Sequence, residues 1–206
     1  MGQGLLIAFE GIDGAGTTTQ VPLIAAWLRS LGYSVYTTAE PSQGPVGSLA
    51  RQALRQDPVL NEAALALLFA ADRLDHLSRE IEPHLSQSDV VLTDRYLLSS
   101  YAYQACTLPL AWVQQLNHLA RPPDASLFFR VSPQTAALRR KKRGGVAEHF
   151  DATARQAQVA QLYEAALQLP GLGTVCAIDA EAAVPQVHAA LQAQLTAHVL
   201  PQAVRP

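Results

Sequence analysis

The chain runs to 206 residues, 49% of them hydrophobic and only 16% charged, which suits one folded domain and excludes a disordered chain. Its formal net charge of −2 argues against a general nucleic-acid binder, which needs a broad basic face. No apolar run approaches the roughly 18–20 residues that a membrane span requires.

Strand-like and helical patterns alternate from end to end. Residues 5–9 are a continuous apolar run that predicts a buried strand, and residues 19–31 set Leu23, Ile24, Trp27, Leu28 and Leu31 at helical spacing. Between them lie Gly11, Ile12, Asp13, Gly14, Ala15, Gly16, Thr17, Thr18 and Thr19. The spacing is that of a phosphate-binding loop, G-x-x-x-x-G-K-[S/T], with Thr17 where the lysine belongs. A glycine-rich turn would account for the glycines alone. The strand before and the helix after favour an anion cradle. Glycines let the backbone wrap so that its N–H groups point inward, and the helix offers its positive end to the same anion. The hydroxyl of Thr18 suits a magnesium ion that bridges phosphates.

Residues 34–38 predict a second strand, entered through a helix stop at Gly32. Helices are expected over 46–55 and 61–85, separated by a turn at Asp57 and Pro58. A third strand covers 89–93, followed by helices over 96–104 and 110–120, the second opened by Pro109. Pro122 and Pro123 break the chain before a fourth strand, 125–131. Pro133 opens another helix, which Gly144 and Gly145 interrupt and which resumes over 150–169. Residues 174–178 form a fifth strand and 184–199 a closing helix, with a frayed tail over 200–206. The pattern predicts a single α/β domain over residues 1–206, a parallel sheet with helices on both faces. Ligands of such sheets bind beyond the carboxyl ends of the strands. Asp13, then Glu40 with Pro41, then Asp94 with Arg95 and Tyr96 follow the first three strands.

Asp94 closes an apolar strand, which suits an acid holding Mg²⁺ directly or through water. Arg95 beside it can fork onto a phosphate, or pair with Asp94 at the start of the next helix. Arg139, Arg140, Lys141, Lys142 and Arg143 make up 5 of the chain's 15 Lys and Arg. Ending in two glycines, the run suits a mobile basic flap that supplies transition-state charge and excludes water. Taken alone, it equally suits a solvated helix C-terminus. Phe69 and Arg73 share a helix face at spacing four, offering a ring to stack on a base and a guanidinium to read its edge. By itself Phe69 reads as core packing. Cys106 and Cys176 lack paired spacing, so no zinc motif or disulfide framework is suggested and a reducing, cytoplasmic setting is expected.

Together these residues resemble the thymidylate kinase family, from residue 5 to about 169. The resemblance is carried by the run Phe9 and Glu10 through Gly16, by Glu40 and Pro41 with Gly47 and Arg51, and by Leu68 and Phe69 through Asp72 and Arg73. Asp94, Arg95 and Tyr96 with Ser99, Ser100, Tyr103 and Gln104 add the most specific part, which adenylate and guanylate kinases do not share. It implies a P-loop kinase fold with a five-stranded parallel sheet, a short lid near 140–149, and a homodimer. The implied reaction moves the γ-phosphoryl group of ATP onto dTMP with Mg²⁺, giving dTDP. By resemblance, Gly11 to Thr19 hold the ATP phosphates, and Thr18 and Asp94 the metal. Asp13 orients both phosphates, while Arg95 and Arg51 hold that of dTMP. Phe69 stacks on thymine, Arg73 bonds its O4, and Ser99 and Ser100 lie near the base edge. Tyr103 crowds the sugar 2′ position, and Glu40 and Gln104 complete the acceptor site. Ala15 resembles members that keep a catalytic arginine in the lid, which points to Arg139 and Arg143.

Three departures bear on activity. Thr17 replaces the loop lysine, Ala39 stands before Glu40 where many bacterial members carry arginine, and residues 105–109 lack a Gly-rich, Arg-containing stretch. Losing one preorganised donor costs about 10²–10³ in turnover. Two further readings therefore stay open: a nucleotide-binding paralogue with weak or no activity, and a phosphotransferase for another deoxynucleotide or nucleoside.

Overall fold

The computed structural model describes residues 4–55, 58–144 and 153–200. Five parallel strands form one sheet in the order β2-β3-β1-β4-β5. The strands are β1 (Leu5–Gly11), β2 (Val35–Ala39), β3 (Val90–Asp94), β4 (Ala125–Arg130) and β5 (Thr174–Asp179). β1 is central, and Leu6, Ile7, Ala8 and Phe9 are wholly buried between the helical layers. Burial on both faces explains why this run is apolar without alternation. Register sets Phe9 and Ala39 level with Asp94, and Gly11 level with Phe129, so the carboxyl ends of β1, β2, β3 and β4 converge.

Helix α1 (Thr17–Ser30) starts two residues before the expected point, because Gly16, at φ 104°, caps it in the left-handed region open to glycine. α2 (Pro45–Leu54) has proline in its first turn, and α3 (Glu62–His76) is capped by Asn61, whose side chain accepts the Ala64 N–H at 2.8 Å. The single helix expected over 61–85 is divided. α3 passes through a wide π turn, Leu77–Ile81, into α4 (Glu82–Leu85), where the Glu82 N–H reaches back five residues to the Leu77 carbonyl. Pro83 brings no N–H to this turn, and widening the ladder accommodates its ring. α5 (Leu97–Tyr103) runs into a short 3₁₀ turn, Gln104–Cys106. α6 (Leu110–Leu116) ends short of the expected residue 120, at Asn117, whose side chain bonds the Val113 carbonyl at 2.8 Å and also meets Arg73.

α7 (Pro133–Arg143) is capped by Ser132, which accepts the Thr135 N–H. Of the lid expected over 140–149, residues 140–143 are the last turn of α7 and Gly144 follows, whereas residues 145–149 lie outside the described residues. α8 (Thr153–Ala166) is shorter than expected at its C-terminal end, and 150–152 are likewise outside the described part. α9 (Val184–Gln194) finishes in a π turn, Leu195–Val199, rather than as one helix to 199. Residues 201–206 are outside the described residues too.

Leu92, wholly buried on β3 between β1 and β2, tests this packing. Leu92→Ala is expected to lower stability by about 2–5 kcal/mol, seen as a lower urea midpoint with an unchanged slope.

Candidate active site

The loop from Gly11 to Thr18 closes over the end of β1 because two glycines adopt φ values that other residues avoid: 94° at Gly14 and 104° at Gly16. A Cβ on Gly14 would also lie 2.5 Å from the Ala136 carbonyl of α7. The first N–H groups of α1 have no partner within the helix and face the loop. A cavity of about 590 Å³ opens here, lined by the loop from Asp13 to Thr19, by Arg139 and Arg140, and by Val184 and Val187 beyond β5. Thr17 is buried and brings no charge. Besides Arg95, two cations reach the loop from α7. Arg139 Nη1 donates to the Ala15 carbonyl at 3.3 Å, and Arg140 Nη1 donates to the Asp13 carbonyl. Lys141 and Lys142 are exposed, while the side chain of Arg143 is outside the described part.

At the inner end of this cavity stand Asp13 and Arg95, 2.5 Å apart. Arg95 has φ 75° and is the only non-glycine residue with positive φ among the described residues. Its N–H bonds the Phe9 carbonyl at 2.8 Å, and its Nη1 bonds the Gly11 carbonyl at 2.8 Å. The guanidinium lies over the Tyr103 ring, 5.1 Å from its centre, a cation–π contact. Asp13 is gripped from the far side by the buried amide of Gln156, which donates to Oδ2 at 2.8 Å and accepts the Asp13 N–H at 3.2 Å. Glu10, also wholly buried, accepts the Tyr96 N–H at 3.0 Å and the Ser99 hydroxyl at 2.5 Å. Tyr163 on α8 joins Ser99 at 2.8 Å and receives a contact from Arg95 at 3.3 Å. The sequence did not single out Glu10, Gln156 or Tyr163 as site residues, yet they hold Asp13, Arg95 and Ser99, which it did.

A second cavity, about 120 Å³, meets the first at this pair. Its lining brings together Glu40, Phe69, Arg73, Ser99, Ser100, Tyr103 and Gln104, as the sequence expected. Phe69 is half-buried, packed on the core with one side open to the cavity. Arg73 is buried, and its donors are engaged: two on Glu40 at 2.7 and 2.9 Å, one on Ser100 at 2.9 Å, one on Asn117 and one on the Tyr96 carbonyl at 3.1 Å. Such a satisfied buried pair holds the guanidinium still at the cavity wall. The Gln104 side-chain oxygen is buried with no hydrogen-bond partner among the described residues. Arg51 is placed differently: it is not among the lining residues, and it holds the loop after the cis Glu40–Pro41 peptide through the Pro41 carbonyl at 2.8 Å and Ser48 at 3.1 Å.

Thr18 and Asp94 meet where the loop joins β3, the hydroxyl donating to Asp94 Oδ2 at 2.5 Å. Asp94 Oδ1 is buried and has no hydrogen-bond partner among the described residues. An orphaned carboxylate oxygen beside a hydroxyl fits Mg²⁺, which takes one or two protein oxygens and fills its remaining positions with phosphate and water.

The family model described as "Thymidylate kinase" matches residues 9–191. The chain belongs to the thymidylate kinase family. Among its relatives is a "Probable thymidylate kinase" of Pyrococcus horikoshii, 41% identical over 72% of this chain and 75% of that protein. A second, from Caldivirga maquilingensis and described in the same words, is 39% identical over 71% of this chain and 72% of its own length. A "Thymidylate kinase" of Xanthomonas euvesicatoria pv. vesicatoria is 38% identical over 93% of this chain and 85% of that protein. The chain is thus a nucleoside monophosphate kinase with the P-loop kinase fold, its five-stranded parallel sheet flanked by helices.

Within this thymidylate kinase site, Glu10 gives a measurable signature. Burial pushes its carboxyl up to about 7, against the Ser99 hydrogen bond and the Arg95 charge that favour ionisation. The folded protein therefore keeps a proton that the unfolded chain releases near 4.5. Stability falls as pH rises across that window, by roughly 3 kcal/mol. Urea titrations at successive pH values are expected to show this fall in the wild type and its loss in Glu10→Gln.

Proposed function

We propose that this protein transfers the γ-phosphoryl group of ATP to dTMP, giving dTDP and ADP, and that it uses Mg²⁺. One observation carries the reading: a loop-lined cavity and a ring-lined cavity meet at Asp13 and Arg95. Donor phosphates belong in the first, along Gly11, Ile12, Asp13, Gly14, Ala15, Gly16, Thr17, Thr18 and Thr19. The acceptor belongs in the second, its base against Phe69 with Arg73 at the edge. Ser99, Ser100, Tyr103, Glu40 and Gln104 surround its base and sugar. Arg51, through the loop it braces, shapes the phosphate end from outside.

The chemistry asks little of the protein. An oxygen of the acceptor phosphate attacks the γ-phosphorus, the bond to the bridging oxygen breaks, and ADP leaves. The nucleophile is already an anion, so no base is needed, and positioning plus charge stabilisation supply the rate. Arg95 sits where the two phosphates converge. Asp13, held by Gln156, fixes that guanidinium. Thr18 and Asp94 would hold Mg²⁺, which when bound neutralises phosphate charge. The charge that Thr17 does not bring is supplied from α7, by Arg139 and Arg140, with Arg143 further along the same basic run.

A homodimer fits the outer face of α3, where Leu67 and Leu74, seven apart, are 50% and 36% exposed. No described helix is long and apolar enough to cross a membrane. A single domain over residues 1–206, with a short lid about residues 140–149 and a place in the cytoplasm, completes the reading.

Steady-state ADP release across an acceptor panel tests it. dTMP with Mg²⁺ is expected to give turnover of about 1 s⁻¹ or more, the low end for kinases, and to exceed other nucleoside monophosphates in kcat/KM. A different best acceptor would reassign the second cavity. Silence with every acceptor, while ATP and dTMP still bind, would mark a nucleotide-binding paralogue.

A further inference from the structure

One buried residue behind the acceptor cavity has no part in the chemistry above. His76 closes α3 with its side chain wholly buried. Its Nδ1 faces Glu40 Oε1 at 3.4 Å, and its Nε2 faces Thr38 Oγ1 at 2.8 Å and Glu80 Oε1 at 3.5 Å. The protons on these partners can be counted. Thr38 has one hydroxyl proton and gives it to Glu80 at 2.5 Å, and Tyr36 gives its own to the same oxygen at 3.1 Å. Thr38 therefore accepts from the ring, which places a proton on Nε2. Nδ1 points at a carboxylate that already takes two N–H groups from Arg73 through its other oxygen. A lone pair there would oppose another lone pair, so this nitrogen carries a proton as well.

We propose that His76 is an imidazolium wedged between Glu40 and Glu80, and that as a positioning residue it holds Glu40 so that Arg73 keeps its place at the acceptor base. This rests on the acceptor reading given above and adds a residue that never touches the acceptor. The groups around the ring agree. β2 and its following turn contribute Thr38 and Glu40, α3 contributes Asp72 and Arg73, and the π turn contributes Glu80. Burial opposes the charge, but the hydrogen bond and charge of Glu40, with Glu80 and Asp72, outweigh it and lift the ring above the ordinary histidine range. Below that raised value the wedge is charged, and above it the proton leaves. Glu40 then keeps only Arg73 as a cation, and acceptor binding weakens as pH rises. Turnover of bound substrates, set at Asp13 and Arg95, stays the same.

The test separates KM from kcat. With the best acceptor of the panel, wild-type KM for that acceptor is expected to rise toward alkaline pH while KM for ATP and kcat stay level. His76→Gln and His76→Asn keep an amide NH₂ donor but no charge. Each is expected to raise the acceptor KM about tenfold at neutral pH, the scale of a lost charged hydrogen bond, and to flatten its pH dependence. A merely structural histidine would lower stability and kcat together and leave the pH profile of KM unmoved, and that result overturns the proposal. Nitrogen NMR of the ring in the wild-type protein is independent of variant folding and of any acceptor. Two protonated ring nitrogens at neutral pH are expected, and a neutral ring overturns the proposal without touching the acceptor assignment. Failure of every acceptor to bind would instead strike the acceptor reading, and with it the role given to the wedge.

Discussion

Arg95 is the constraint on which the site depends. It stands in the left-handed region, at φ 75°, a conformation costly for a side chain this long. The surroundings enforce it: its N–H is tied to the end of β1, and its guanidinium to the Gly11 carbonyl, Asp13 and the face of Tyr103. One residue thus connects β3, the phosphate loop, α5 and, through Tyr163, α8. The buried Glu10 beneath it fixes Tyr96 and Ser99, so the turn from strand to helix cannot relax.

In the proposed reaction the two cavities divide the work from that fixed point. The donor side is mostly backbone, and backbone amides with a helix end bind phosphate without any particular side chain. On this reading the loop can do without a lysine at Thr17. What a lysine would add is charge at the migrating group, and charge can arrive from another element provided that it is held in place. α7 lies against the loop, with the Ala136 carbonyl packed beside Gly14, and its arginines bond the carbonyls of Asp13 and Ala15. The acceptor side is the opposite case. There side chains decide, and they are locked by buried pairs, Arg73 with Glu40 and Glu40 with His76.

Much of this was legible in the sequence, and for physical reasons. Doubly buried parallel strands are apolar runs, so all five strands showed, and residues placed just after them gathered where the sheet topology requires. Helix interruptions were less visible: the π turn at Leu77–Ile81 leaves hydrophobic spacing nearly intact, and only Pro83 hinted at it. The direction of Arg51 was not legible, because sequence gives its neighbourhood alone; its guanidinium turns to the Pro41 and Ser42 carbonyls. Gln156 and Tyr163 left no signal, since a buried glutamine or tyrosine on a helix looks like any other until its partner is seen. Arg140 was read as part of a run, and its bond to the Asp13 carbonyl and its place on the cavity wall separate it from the exposed Lys141 and Lys142.

Whether α7 supplies the cation the loop lacks is decided by acceptor-dependent turnover after Thr17→Lys, in the wild type and in Arg140→Ala. If Arg140 brings the charge, the lysine changes wild-type turnover by less than about tenfold, whereas Arg140→Ala loses about 10²–10³ and the lysine restores most of it. If the lysine instead raises wild-type turnover by about 10², or if Arg140→Ala is harmless or cannot be rescued, the charge does not come from Arg140 and the account is contradicted.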